Sequence, residues 1–555
     1  MTLKFLSAII ILSFLVINIS KAHCQSSDSP NLKRPNILFV FGDDWGRYAS
    51  IYSKFENKKT VNSIISTPTM DRMAKEGAIY TNAFVPSPSC TPCRSAVLSG
   101  RYFWQTRLGA ILQGAVWDDN IPTFPKILEK TGYHTGNTYK VWGPGVYQPQ
   151  TFGIEYNSAG QKFNSFSEEV TKNIKTGMTI NESKIPLYNE VRQNFCDFLN
   201  SRKKGAPFLY WWGPTNTHRT WEKGSGNILW GIEPNKIKGI MPQFIPDVDS
   251  VREDFADYLG ECMALDHGIS VLVDVLEKIG ELDNTLIVLS GDHGIPGFPR
   301  AKSNLYDIGC GVSLIVRYPK LIQAGTVIND ITNIMDLAPT FLEVAQCEPE
   351  ISMAGRSLWG RLKGETENIN EKWVIMGRER HIATARAENL PYPQRALRTK
   401  NFLYIVNFAP DRWPMGDPPD WNNLNLTTKL LETNTRSIYP DMDAGPTKAW
   451  MILHRDADPY KDLFDLAFSK RPQEELYNIS DDPDQMKNLA SNPEYNSIKE
   501  QLKEHLFCEL KKQRDPRICD KEIRYEKSPY TDVFEHNEQK AREKSSERLR
   551  KSGSE

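Results

Sequence analysis

The residues with the most chemical content are Cys90-Thr91-Pro92-Cys93-Arg94-Ser95. Thr91 is a capping residue, Pro92 suits the first helical position, and Gly100 can end a helix after Ala96-Val97-Leu98. The spacing therefore predicts a short helix with Cys90 at its mouth. A helix N-terminus presents unpaired N–H groups and the positive end of a dipole, so it favours anions. Arg94 adds a planar fork matched to tetrahedral oxyanions. A cysteine placed there is expected to be reactive. The competing reading pairs Cys90 with Cys93, as a disulfide or as metal ligands.

Further ionisable groups follow three apolar runs. Asp43 and Asp44 come after residues 35–41, His218 after 207–212, and Asp292 and His293 after 285–290. Short continuous apolar runs of this kind form buried central strands. Helical patterns at 69–76 and 251–276 lie between them, which points to an α/β fold with a largely parallel sheet. Ligands of such sheets collect beyond the carboxyl ends of the strands. Three strands ending in these residues predict one shared site. In it Asp43, Asp44, Asp292 and His293 can bind a divalent cation, and three carboxylates favour a hard ion such as calcium or magnesium.

The rest of the chain must build that scaffold. With 555 residues it can bury a large core and divide into domains. Lys4 precedes an apolar stretch, residues 5–19, interrupted by Ser7, Ser13 and Asn18 and followed by Ser20, Ala22 and Cys24. Residues 1–24 are expected to be a secretory signal peptide, too short to span a bilayer, which makes the mature protein secreted or periplasmic; lipid anchoring at Cys24 is the alternative. Residues 34–370 are assigned to the α/β domain, with a late helix at 335–345. Residues 371–519 form a smaller C-terminal α+β subdomain with a hairpin at 396–406 and a closing helix at 496–507. Residues 520–555, rich in mixed charge, are expected to be solvated. A net charge of −1 excludes a general nucleic-acid binder and gives no membrane-surface signal. Nine cysteines are too few for a disulfide scaffold. Cys508 and Cys519 are the best candidate pair, while Cys196, Cys262, Cys310 and Cys347 lie among apolar residues and read as core.

Cys90-Thr91-Pro92-Cys93-Arg94 resembles Cys-x-Pro-Ser-Arg, the signature of the type I, formylglycine-dependent sulfatases. Other segments are similar to that family in the same order. They are residues 36–44 with the aspartates, Gly132-Tyr133-His134-Thr135-Gly136 with Lys140, Asp292-His293-Gly294 with Lys302, and Glu475-Leu476-Tyr477-Asn478. Asn216-Thr217-His218-Arg219 and Phe298-Pro299-Arg300-Ala301-Lys302 resemble the branch of heparan N-sulfatase and bacterial or algal polysaccharide sulfatases.

The resemblance implies an alkaline-phosphatase-like fold, with a mixed, mostly parallel sheet and a small antiparallel C-terminal one. It implies that a separate formylglycine-generating or sulfatase-maturing enzyme oxidises Cys90 to formylglycine. It also implies one Ca2+ ion held by Asp43, Asp44, Asp292, His293 and the modified Cys90. Arg94, Lys140 and Lys302 would neutralise the sulfate, and His218 would be the general acid. Two departures stand out: Cys93 replaces the family's Ser or Ala, and no histidine follows in Lys140-Val141-Trp142. Arg219, Arg380, His381 and Arg412 are candidate sugar contacts, with ion pairing or core packing as the equal alternative. The expected activity is hydrolysis of sulfate esters on a sulfated polysaccharide or its oligosaccharides, algal (ulvan, carrageenan) or glycosaminoglycan. The alternatives are an N-sulfoglucosamine sulfohydrolase, a phosphoryl-transfer hydrolase using Thr91, and a non-catalytic carbohydrate binder.

Overall fold

Strand β1 (Asn36–Gly42) is buried at every position. Ile37, Phe39 and Phe41 enter one apolar cluster, and Leu38 and Val40 enter another. Burial on both faces is why its sequence is continuously apolar and not alternating. The computed structural model describes residues 34–365, 373–423 and 426–528. The other strands of the large sheet are β2 (Ala78–Phe84), β3 (His134–Tyr139), β4 (Ile154–Glu155), β5 (Phe208–Gly213), β6 (Thr285–Gly291), β7 (Gly311–Arg317) and β8 (Thr326–Asn333). Their order is β4-β3-β5-β1-β6-β7-β2-β8. Strand β7 runs against both neighbours, and every other pair is parallel.

Helices cover both faces. Cys90–Ser99, Phe124–Lys130 and Leu337–Val344 supply Val97, Leu128 and Phe341 to the cluster around Phe39. Pro68–Glu76, Ile180–Ser201 and Asp249–Lys278 supply Met70, Phe195 and Leu265 to the cluster around Val40. Each such side chain, fully buried, stabilises the fold by about 1.5–3 kcal/mol. The three apolar runs thus become neighbouring strands in the order β5-β1-β6, with helices where the pattern turned amphipathic.

A second sheet comprises β9 (Trp373–Arg378), β10 (Gln394–Thr399), β11 (Phe402–Asn407) and β12 (Glu474–Asn478), antiparallel throughout in the order β12-β11-β10-β9. The expected hairpin is β10–β11, and the closing helix is Asn496–Lys512. Ile375, Leu397, Leu403, Leu476 and Leu506 join the same apolar cluster as Phe39. The C-terminal part therefore shares a core with the large sheet.

Some expectations fail. Cys508 and Cys519 are free and exposed, and the Cys519 Sγ turns to the Lys511 carbonyl at 3.9 Å. Cys262 and Cys310 are buried, whereas Cys196 and Cys347 are only partly so. The chain also does not become solvated at residue 520. Tyr525 is fully buried, with its hydroxyl donating to the Trp104 carbonyl at 2.8 Å, and Glu526 pairs with Arg412 and Arg517. An aromatic anchor and these ion pairs together hold that stretch against the core. The expected signal segment and residues 529–555 lie outside the described residues. Among the described residues no helix is long and apolar enough to cross a membrane.

Candidate active site

The ends of β1, β5 and β6 are tied together by backbone and side-chain hydrogen bonds. Asp43 N–H donates to the Pro214 carbonyl (2.9 Å), Asp292 N–H to that of Gly42 (3.1 Å), and Asp44 N–H to the Asp292 Oδ1 (2.8 Å). The Thr217 hydroxyl donates to the Asp43 carbonyl at 2.6 Å. Asp44 sits at φ 59°, a left-handed conformation that short polar residues tolerate best. Lys140 follows β3, and its N–H donates to the Gly213 carbonyl at 2.9 Å. A Cβ at Gly213 would stand 1.9 Å from the Lys140 carbonyl oxygen, so glycine is what lets the lysine reach the site.

The Cys90–Ser99 helix begins two residues earlier than its sequence predicts, with Ser89 as the N-cap residue. The Thr91 hydroxyl instead donates to the Pro144 carbonyl at 2.7 Å, and Gly100 ends the helix in the left-handed region as expected. Cys93 faces the apolar cluster with Ala96 and Val97, and both signature cysteines are free. The Cys90 Sγ lies 3.3 Å from the His293 Nε2 and 3.8 Å from the Asp44 Oδ1. Burial, reinforced by the Asp43 charge, pushes its thiol well above the usual range. The unmodified side chain is therefore a poor nucleophile, contrary to the expectation from the helix dipole alone.

Buried charges surround it. Arg94 binds Asp292 (2.8 Å), Asp43 (3.1 Å) and the carbonyls of Lys140 and Val141. The Lys140 Nζ meets both Asp43 oxygens at 2.8 and 2.9 Å. The Lys302 Nζ lies 2.8 Å from Asp44 and 3.2 Å from Asp443. Burial opposes ionisation of Asp43, yet Lys140 and Arg94 hold its carboxyl well below the ordinary value. Burial likewise opposes charging of Lys302, yet Asp44 and Asp443 carry it well above. Asp43, Asp44, Asp292 and Asp443 thus outnumber Arg94, Lys140 and Lys302, which leaves room for a further cation.

The donor set fits a metal ion. Ligand atoms of Asp44, Cys90 and His293, and those of Asp43, Cys90 and Asp292, converge within 4.8 Å. The His293 Nδ1 lies 3.1 Å from the Gly294 carbonyl, which assigns the Nδ1 proton. Its Nε2 then faces Asp44 at 3.1 Å and Asp292 at 3.5 Å, lone pair against carboxylate. That arrangement calls for a positive charge between them, a proton or a metal ion, and three carboxylates suit a hard cation. His218 is the accessible group: its Nδ1 donates to the Arg219 carbonyl at 2.5 Å, and its Nε2 faces Asp44 at 3.9 Å with 34% of the side chain exposed.

A sequence profile described as Sulfatase matches residues 35–347, more than half of the chain. The chain belongs to the sulfatase family. It is a sulfuric ester hydrolase with the family's large mixed sheet and smaller C-terminal sheet. A second profile, N-sulphoglucosamine sulphohydrolase, C-terminal, matches residues 292–427. An ulvan-active sulfatase of Formosa agariphila is 26% identical over 492 residues, covering 85% of this chain and 74% of that protein. The human N-sulphoglucosamine sulphohydrolase is 25% identical over 517 residues, covering 87% and 91%. A solved protein in complex with its substrate D-glucosamine-2-N,6-O-disulfate superimposes with a TM-score of 0.60 at 20% identity, covering 88% of this chain and all of that one.

The structure of this sulfatase brings Cys90, Arg94, Lys140, His218, Lys302 and the four metal candidates together, and it disposes of the outer candidates differently. Arg380 donates to the carbonyls of Gln113 and Ser528, and Arg412 to Glu526 and the Pro391 carbonyl; both brace the C-terminal segment and are not placed as sugar contacts. His381 is buried with its Nδ1 2.8 Å from the Ser89 Oγ, and burial lowers it to about 3, so it is a neutral prop beneath the helix start. Arg219 is a clamp. It binds Asp254 bidentately (2.8 and 2.7 Å) and lies 4.3 Å above the Trp221 ring. A Cβ at either Gly297 or Gly445 would come within 2.3 Å of its guanidinium. Where the family carries a histidine after the lysine, Trp142 donates to the Ser95 Oγ at 2.8 Å and packs on Trp117. Asp443 was not anticipated. Its loop carries no periodic pattern, and the pair of aspartates between Pro440 and Gly445 was the one available signal.

Proposed function

We propose that this sulfatase is exported and removes sulfate from a sulfated polysaccharide or its oligosaccharides, after a maturing enzyme converts Cys90 to formylglycine. The observation that carries the reading is the position of Cys90: at a helix mouth, against His293 and Asp44, beside two lysines that reach the site and one accessible histidine. Asp43, Asp44, Asp292 and His293 would hold a calcium ion, which would supply positive charge beside residue 90, and the formylglycine made there would supply the oxygen nucleophile toward sulfur. Lys140 and Lys302 neutralise the sulfate oxygens as charge builds on them. Arg94 has no exposed surface and acts by fixing Asp43 and Asp292. The His218 Nε2 delivers a proton to the sugar oxygen as its bond to sulfur breaks, and then accepts one as sulfate is released from the site.

Relatives named for ulvan and for N-sulphoglucosamine support a sulfated carbohydrate of algal or glycosaminoglycan type, and the sequence of residues 1–24 supports export. The phosphoryl-transfer alternative is disfavoured, because the Thr91 hydroxyl is buried and already donates to Pro144. Mass spectrometry of the Cys90 peptide tests the modification: an aldehyde is expected, and an intact thiol in active enzyme would overturn the mechanism. A panel of defined O-sulfated and N-sulfated oligosaccharides, with an aryl phosphate as control, tests the substrate. Turnover of the phosphate alone would refute the reading.

A further inference from the structure

Asp443 presents a carboxylate to this site from beyond both matched stretches. Its loop, residues 439–445, is stiffly built. Asp441 pairs with Arg378 and Arg386, each at 2.5 Å, and accepts the Ile382 N–H at 2.8 Å. The buried Lys448 Nζ donates to the Met442 carbonyl at 2.7 Å, and Ala444 N–H to the Thr435 hydroxyl at 3.0 Å. Just beyond, Thr447 donates its N–H and hydroxyl to Asp254, the partner of the Arg219 clamp.

The Asp443 side chain takes no part in that bracing. Its Oδ2 is buried against the Lys302 Nζ at 3.2 Å, no other polar partner of the carboxylate is found among the described residues, and the side chain keeps 18% exposure. An ionised carboxylate can accept about four hydrogen bonds. Lys302 already has a well-placed partner in Asp44 at 2.8 Å. A second carboxylate beside a sulfate-neutralising lysine weakens the site for any bare anion. Such a group, on a rigid loop and with Lys302 as the single partner of its carboxylate among the described residues, matches a ligand that brings donors as well as negative charge. A sulfated sugar does this, with hydroxyl groups flanking the sulfated carbon.

We propose that Asp443 is a sugar-recognition residue that accepts hydrogen bonds from hydroxyl groups of the ring carrying the sulfate. The inference rests on the sulfatase reading above and adds a group that separates a sulfated sugar from sulfate itself. The test uses full-length enzyme with Cys90 conversion checked by mass spectrometry, in Asp443→Ala and Asp443→Asn forms. Two constants are measured: kcat/KM on the best sulfated oligosaccharide and the inhibition constant of inorganic sulfate. Opposite movements are expected. In Asp443→Ala, kcat/KM falls at least about tenfold, as when a site loses its partner for a substrate hydroxyl, while sulfate inhibits at a lower concentration. Asp443→Asn, which keeps shape and one acceptor, recovers part of the saccharide activity and carries the test if the alanine form does not fold. A parallel weakening of both constants would show that Asp443 acts only through Lys302, and an unchanged kcat/KM would show that it touches no substrate; either overturns the proposal. Wild-type enzyme that turns over no sulfated compound would bring down the sulfatase reading first, and this inference with it.

Discussion

Two buried charge clusters can be set side by side. One is the strand-end cluster of Asp43, Asp44, Asp292, Arg94, Lys140 and Lys302. The other, in the C-terminal part, joins Arg395 to Glu379 (2.9 Å) and Asp515, with Arg517 also on Glu379. Both join carboxylates to basic side chains at similar distances. The difference is access. Arg395, Glu379 and Asp515 are sealed at 0% side-chain exposure, with Arg395 5.0 Å from the Phe103 ring centre. In the strand-end cluster Lys140 keeps 18%, and the adjoining His218 34%. The sealed cluster satisfies itself and serves the fold. The open one, counted with Asp443, has more carboxylates than cations and a histidine nitrogen facing two of them, so it can take a further cation from outside.

That contrast can be broken in order of expected effect. Cys90→Ala should abolish turnover, by at least about 10⁴-fold in kcat/KM, with little change in the melting temperature; retained activity would refute the proposed nucleophile. Arg395→Ala should do the reverse. Stranding Glu379 and Asp515 should cost about 3–5 kcal/mol in urea unfolding, with kcat per folded molecule intact. A catalytic loss exceeding the stability loss would mean the second cluster is not merely structural. Lys302→Ala should lower kcat/KM by about 10²–10³-fold and destabilise less than Arg395→Ala, since one of its two partners, Asp443, keeps 18% exposure whereas Glu379 and Asp515 keep none.

The smallest effect concerns pH. Burial lowers Lys448 to about 7 from the ordinary 10.5. Between those values the unfolded chain holds a proton that the folded chain lacks, so stability rises with pH across this window and is lost as pH falls through 7. Comparing urea midpoints at pH 9 and pH 7, wild type should lose about 2 kcal/mol more than Lys448→Met. Equal slopes would mean that Lys448 stays charged in the fold, held by the Thr435 and Met442 carbonyls.

Much of the scaffold was legible in the sequence because burial on both faces of β1, β5 and β6 leaves continuous apolar runs that nothing else explains. The convergence of Asp43, His218 and Asp292 followed from strand-end topology. The start of the Cys90 helix was misread because Thr91 caps well in principle, whereas Ser89 precedes it and turns its hydroxyl to His381, remote in sequence. Arg380 and Arg412 were ambiguous for a physical reason: the guanidinium fork that suits a sulfated sugar suits buried carbonyls and Glu526 equally well. Asp443 and the anchoring of Tyr525 depend on contacts between distant parts of the chain, which local pattern does not encode.

The Arg219 clamp has a consequence for redesign. Its guanidinium is held between two glycines, one following β6 and its Asp292-His293 pair and one closing the loop that carries Asp443. The loop proposed to face the sugar is therefore indexed to the strand-end cluster through a slot too narrow for a Cβ at either glycine. A chimera that transplants residues 439–445 from a relative should keep its register only if glycine is retained at both 297 and 445. A larger residue at either position would press on the Arg219 guanidinium and its two bonds to Asp254, the tie between this loop and the long helix.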